Sequence, residues 1–302
     1  SDRPIACLLS GGLDSSLITS IVSKLLNKQV ETFSIGLPGA TDLEYAKKVS
    51  DFLGTKHTEI LVKEKDFLDA IPETIKRIES YDTTTVRASV GNYLVADYIS
   101  KNSTAKVIFN GDGADELMGG YLYFKKAPSD IEFDNDIHKL LGNIHYFDVL
   151  RSDRSISSCG LEPRTPFLDK TFVNTYLSIP IKYRNNKEQE KKLLRDAFRN
   201  YLPEEVLYRQ KEAFSDGVSA ETKSWYSIIQ EHIKTNKLVN ETEFYNISKE
   251  DLKSIKNKIP DTQEKMYYRK IFNQFYPNSD HIIPYFWMPN WSNTTDPSAR
   301  TL

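Results

Sequence analysis

The chain has 302 residues, room for one large domain or two small ones, and 40 Lys and Arg against 42 Asp and Glu leave a formal net charge of −2. That balance excludes a nucleic-acid coat or a membrane-surface protein, both of which need a basic excess. Hydrophobic residues at 39% and aromatics at 12% supply a sizeable core, and two cysteines, Cys7 and Cys159, cannot build a disulfide framework, so a cytoplasmic globular protein is expected.

Ile5-Ala6-Cys7-Leu8-Leu9 reads as a buried strand ended by Ser10-Gly11-Gly12, after which Leu17, Ile18, Ile21, Val22, Leu25 and Leu26 mark one helical face. Residues 32–35 form a second strand, halted by Gly36-Leu37-Pro38-Gly39. Asp42 is the expected N-cap of a helix turning Tyr45, Val49, Phe52 and Leu53 inward, and residues 58–62 form a third strand. Pro72 suits the first turn of a helix carrying Ile75 and Ile78, and Val90, Tyr93, Leu94 and Ala96 mark another. Residues 107–109 are a fourth strand, running into the glycine-rich segment from Asn110 to Tyr121. Strands spaced by helices of this length predict an α/β fold, a doubly wound parallel sheet with helices on both faces. Ligands of such sheets sit beyond the carboxyl ends of the strands.

After about residue 130 the strand signal fades, and helical patterns over 140–150, 191–201 and 225–233 predict a helical C-terminal half. The lysine-rich stretches 182–192 and 249–258 are mixed with acids and read as solvated helix faces. Tyr285, Phe286, Trp287 and Trp291 read as packing. No repeat of fixed period and no marked linker divides the chain.

Chemistry concentrates in two segments. Ser10-Gly11-Gly12-Leu13-Asp14-Ser15-Ser16 follows a strand and opens a helix, where backbone N–H groups and the helix dipole cradle an anion. Its glycines permit close backbone approach, its serines add hydroxyl donors, and Asp14 offers a hard oxygen to Mg²⁺. It lacks the Gly-Lys-Ser/Thr ending of a Walker A loop. The second segment, after the fourth strand, packs Asp112, Asp115 and Glu116 among Gly111, Gly113, Gly119 and Gly120. A dinucleotide fingerprint fails there, because no third glycine stands at 116. The five histidines lie far apart, with no His-Glu-x-x-His, no Cys-x-x-Cys and no Gly-x-Ser-x-Gly, so neither a zinc site nor a hydrolase triad is expected.

The first loop resembles the PP-loop of ATPases that release pyrophosphate, which implies an adenine nucleotide alpha hydrolase-like fold. The Asn110–Tyr121 segment narrows the choice. So do Thr83-Thr84-Thr85-Val86-Arg87-Ala88-Ser89, Phe147-Asp148-Val149-Leu150-Arg151, Arg164-Thr165-Pro166-Phe167-Leu168-Asp169 and the run from Arg209 through Lys211 to Gly217. With the tail Tyr285-Phe286-Trp287-Met288-Pro289 and Asp296 to Leu302, these make the chain similar to the synthetase domain of the asparagine synthetase family over essentially residues 1–302.

The resemblance implies that the β-carboxylate of L-aspartate attacks the α-phosphorus of ATP, and that ammonia then displaces AMP from β-aspartyl-AMP. It implies Mg²⁺ on Asp14 and Asp115, pyrophosphate in the loop of Ser10, Gly11, Gly12, Ser15 and Ser16, and ATP contacts at Leu9, Ile35, Asn110 and Gly111. Lys211 would pair with phosphate oxygens, and Thr84 and Arg87 would meet aspartate or the intermediate. An ion pair at a helix start is the other reading of Arg87. Asp148, Arg151, Arg164 and Asp169 read equally as a structural ion-pair network and as direct participants. Many family members carry Glu where this chain has Asp112, which shortens the reach by roughly 1.5 Å, and Asp112 is still expected to orient the intermediate. A glutaminase domain with an N-terminal cysteine nucleophile has no counterpart in these residues, since Cys7 lies in a strand and Cys159 in a loop. Ammonia would then come from such a domain, from a partner chain or from solution; the resemblance also allows a homodimer. A β-lactam synthetase-like ligase and an inactive nucleotide-binding subunit are the alternatives, and the Thr84–Arg87 and Arg209–Gly217 segments favour aspartate.

Overall fold

Five short parallel strands form the sheet of the computed structural model, which describes residues 1–26, 28–211, 217–219, 224–240, 259–292 and 294. β1 (Ile5–Leu8), β2 (Glu31–Gly36), β3 (Lys56–Leu61), β4 (Val107–Phe109) and β5 (Glu162–Arg164) lie in the order β3-β2-β1-β4-β5. In the central strand Cys7 pairs with Thr32 on one side and Phe109 on the other. Ala6 and Cys7 are fully buried, as an unbroken apolar run requires when helices cover both faces.

Leu17, Ile18 and Val22 of α1 (Leu13–Leu26) pack with Ala46 and Val49 of α2 (Thr41–Leu53) on one face. On the other, Val95, Ala96 and Ile99 of α4 (Thr83–Asn102) pack with Ile156 of α7 (Asp148–Ser157) against Ala6, Phe33, Ile35 and Ile108. α3 (Glu64–Ile78) lies outside α4 and carries α12 (Trp225–Thr235) and α13 (Gln263–Phe275), with the Trp225 ring edge-on to Phe67 at 5.2 Å. Between them run the short helices α5 (Ala114–Met118), α6 (Asp130–Asn143), α8 (Lys170–Ser178), α9 (Ile181–Arg184), α10 (Lys192–Ala197) and α11 (Glu204–Leu207). Strand order reverses between β1 and β4, so a crevice opens beyond their carboxyl ends.

The expected α/β fold is present, with local corrections. The N-cap of α2 is Ala40; Asp42 sits in the first turn, drawn into a buried ion pair with Arg209 at 3.0 Å. Pro72 lies inside α3, where the buried stripe Phe67, Ile71, Ile75 and Ile78 carries the helix through the lost backbone donor. The expected 140–150 helix is broken. α6 ends at Asn143, a 3₁₀ turn spans Ile144–Tyr146, and Leu140 and Phe147 join one aromatic cluster from either side of the break. The helix over 191–201 shrinks to α10. β5, a Glu-Pro-Arg edge strand with no apolar run, carries no signal in the sequence.

Candidate functional site

β1 leads into the loop before α1, and Leu9, Ser10, Gly12, Asp14 and Ser15 line one cavity there. Ser15 Oγ ties the loop together: it accepts from the Ser10 N–H at 3.2 Å, lies 3.0 Å from Ser10 Oγ and donates to the Gly12 carbonyl at 3.3 Å. The first N–H groups of α1 have no partners within the helix and suit an anion. Gly11 and Ser16, expected in the loop's grip, do not line the cavity. Gly11 is held at φ +73° against the Tyr45–Ala46 backbone, and Ser16 is fully buried.

The loop after β4 closes on this one through Gly111, where a Cβ would stand 2.6 Å from Ser15 N and 2.7 Å from the Asp14 carbonyl carbon. That approach brings Asp14 and Asp115 into the same cavity. Two lysines bridge them. Lys191 Nζ lies 2.6 Å from Asp14 Oδ2 and 2.5 Å from Asp115 Oδ1, while Lys211 Nζ lies 2.5 Å from Asp115 Oδ2 and 3.9 Å from Asp14 Oδ2. Burial opposes ionisation of Asp115, but the ammonium groups of Lys191 and Lys211 outweigh it and hold its carboxyl far below the usual range. Burial also works against the charge of Lys211, and Asp115 and Asp14 overcome it, holding the amine above the ordinary lysine range.

Lys191 corrects the reading of 182–192 as a solvated face, for it is 4% exposed and its chain passes over Gly120. Its backbone stands at φ +54°, a conformation that costs a side-chain-bearing residue ~1–3 kcal/mol and persists where surroundings enforce it. Nothing in the local sequence separates it from Lys192, whose side chain is 44% exposed.

Ile35, Thr84, Arg87, Asn110, Gly111 and Asp112 line the same cavity. Asn110 donates to Ser152 Oγ at 2.8 Å and accepts the Asp112 N–H at 3.2 Å. Thr84 Oγ1 is buried with no hydrogen-bond partner among the described residues. Arg87 forks onto Glu264, with Nε 2.7 Å from Oε1 and Nη2 2.6 Å from Oε2, and its guanidinium lies 4.8 Å from the Tyr226 ring. Gln230 and Tyr268 also donate to Glu264, at 2.7 and 2.9 Å. The ion-pair reading of Arg87 therefore holds, with a partner the sequence did not name.

Of the four residues expected in one network, two join. Arg151 donates through Nη2 to Asp148 Oδ1 at 2.8 Å and to Asp112 Oδ1 at 3.1 Å. Arg164 instead pairs with Glu162 on β5, and Asp169 caps α8 by accepting from the Thr171 and Phe172 N–H groups. Glu116, bonded to Tyr121, is pushed well above the carboxylate range by burial and by Asp148 beside it. The Trp287 ring packs against Tyr121 at 5.8 Å and its backbone N–H donates to Asp82 Oδ1 at 2.9 Å, yet Trp287 also lines the cavity. Residues 212–216, 249–258 and 296–302 lie outside the described residues.

A parallel sheet whose central strand feeds a serine–glycine loop, with acids and lysines gathered at the switch point, defines an α/β protein with a candidate anion-binding site beyond its strands. The asparagine synthase family matches residues 1–138 and 126–294, and the chain belongs to that family. It is 44% identical over 310 residues to asparagine synthetase [glutamine-hydrolyzing] of Homo sapiens, covering 100% of this chain and 54% of that protein. The Gallus gallus enzyme of the same name is 45% identical over 308 residues, covering 99% and 54%. The chain thus spans about half the length of the curated relatives it matches. Among solved structures, NMN synthetase from Francisella tularensis aligns with 96% of this chain and 90% of that one, at 13% identity and a TM-score of 0.41.

Proposed function

We propose that the chain is a synthetase domain that amidates L-aspartate at the cost of ATP. A β-carboxylate oxygen bonds to the α-phosphorus as the bond to pyrophosphate breaks. Ammonia then adds to the acyl carbon, loses a proton, and AMP departs. The gathering of Asp14, Asp115, Lys191 and Lys211 beyond β1 and β4 is the chief support. A carboxylate attacking a polyanion needs charge neutralised where pyrophosphate leaves, and two desolvated ammonium groups beside a helix N-terminus supply it.

Asp14 and Asp115 fit Mg²⁺. Their oxygens are hard ligands, and Asp14 Oδ1 is buried with no hydrogen-bond partner among the described residues. No third His, Cys, Asp or Glu gathers there among the described residues, so phosphates and water would complete the shell. When bound, the ion would offset phosphate charge. Leu9 and Ile35 would flank the base with backbone groups, and the unpartnered Thr84 hydroxyl would meet aspartate. Asp112, held by Arg151, would orient the intermediate. Ammonia would come from a glutamine-hydrolysing unit in the same protein or a partner, as the names of the relatives suggest.

Incubation with MgATP, aspartate and ammonium tests the reading. Pyrophosphate and asparagine are expected in equal amounts, and only with aspartate present. Pyrophosphate released without aspartate, or none released with it, overturns the assignment.

A further inference from the structure

The geometry points to Arg195 as a positioning residue that sets Lys191 and Lys211 at their mutual spacing, an inference that rests on the reading of both lysines as phosphate ligands. Arg195 lies in α10 and is 2% exposed. Its guanidinium ties two separate chain segments. Nε donates to the Glu190 carbonyl at 2.9 Å and Nη2 to Glu190 Oε1 at 2.6 Å, on the residue directly before Lys191. Nη1 donates to the Leu207 carbonyl and Nη2 to the Arg209 carbonyl at 3.2 Å, two residues before Lys211.

A planar fork with five N–H donors can hold four acceptors on two segments at fixed angles; an ammonium group cannot. Both segments have reason to need holding. Lys191 is kept at φ +54°, and the peptide leading into it is the one Arg195 grips. Arg209 is itself anchored, 3.0 Å from Asp42 Oδ1 and 4.1 Å from the Tyr45 ring, so the carbonyls it and Leu207 present come from a fixed frame. Arg195 acts on the phosphate end through the lysines. Arg195 itself reaches the cavity wall, but its four acceptors lie on the two lysine segments and none on Leu9 or Ile35 at the base end.

Calorimetry with magnesium pyrophosphate and, separately, with AMP separates this role from a general structural one. Arg195→Lys is expected to weaken pyrophosphate binding about 100-fold, the scale of a ~1 Å misplacement, and AMP binding less than about threefold. Added to Lys191→Met/Lys211→Met, the same change should cost less than about threefold, because nothing remains to be positioned. Glu190→Gln, which turns one charged acceptor of Arg195 into a neutral one, should weaken pyrophosphate alone by about tenfold and decides the matter if Arg195→Lys does not fold. Unchanged pyrophosphate affinity, an equal loss for AMP, or a full additional loss in the lysine-free protein would overturn the inference. Failure of the unaltered chain to bind magnesium pyrophosphate refutes the phosphate reading itself.

Discussion

Gly111→Ala tests whether contact between the two loops builds the site. Its added methyl would meet backbone and not a flexible side-chain tip: Ser15 N at 2.6 Å, the Asp14 carbonyl carbon at 2.7 Å and Asp14 Cβ at 2.8 Å. Ordinary contact begins near 3.4 Å, so the loops must part by about 0.8 Å. Overpacking of this kind costs ~1–3 kcal/mol, which should lower the melting temperature by a few degrees. The larger effect is on geometry. Asp14 lies in the first turn of α1, after one loop, and Asp115 in the first turn of α5, after the other, and Lys191 spans them at 2.6 and 2.5 Å, so a separation of this size breaks one of the two pairs. A displacement of ~1 Å costs about 100-fold in rate. Steady-state pyrophosphate release with MgATP, aspartate and ammonium gives the rate, and thermal melting gives the stability. A variant that melts lower yet keeps kcat/KM within about threefold would refute the idea that this approach sets the acid–lysine cluster.

Lys211→Met leaves Asp115 with Lys191 alone, and single-turnover pyrophosphate release should slow by ~100- to 1,000-fold, as when one transition-state donor is removed. Arg87→Met strands a Glu264 carboxylate that is 1% exposed; urea denaturation should show a loss of ~3–5 kcal/mol, part of it recovered by adding Glu264→Gln. Burial, with Lys47 nearby, pushes His57 down to about 4, so between pH 6.5 and 4 the unfolded chain binds the extra proton. The His57 contribution is full above pH 6.5 and falls by ~2 kcal/mol as pH drops from 6.5 to 5, and His57→Gln should flatten the fall in denaturant midpoint between pH 7 and 5.

What was legible in the sequence is what local chemistry dictates. An apolar run of strand length followed by Ser-Gly-Gly marks β1 and its loop, and acids among glycines after a second such run mark the loop after β4. Parallel order carries both loops to the same end of the sheet, where Asp14 and Asp115 share the cavity that the family resemblance implies for them. What stayed hidden depends on distant partners. Glu264 finds Arg87 across 177 residues, and β5 exists because Asn110 and Lys106 offer backbone groups beside it, not because Glu-Pro-Arg favours a strand.

Lys191 is the instructive omission, since charge favours a second cation there even though the local sequence does not place it. Two carboxylates buried in one cavity repel each other and lose their water, and a single ammonium leaves one of them uncompensated at a cost of several kcal/mol. Lys211 sits 2.5 Å from Asp115 but 3.9 Å from Asp14, so it serves Asp14 the less closely of the two. With Asp14 and Asp115 in one cavity, a second buried cation offsets the charge that a single lysine leaves. The left-handed turn at residue 191, gripped by Arg195 and running beside Gly120, is how the chain delivers it. Two acids gathered in one buried cavity thus favour a lysine from a stretch whose mixed charge reads as solvent-facing.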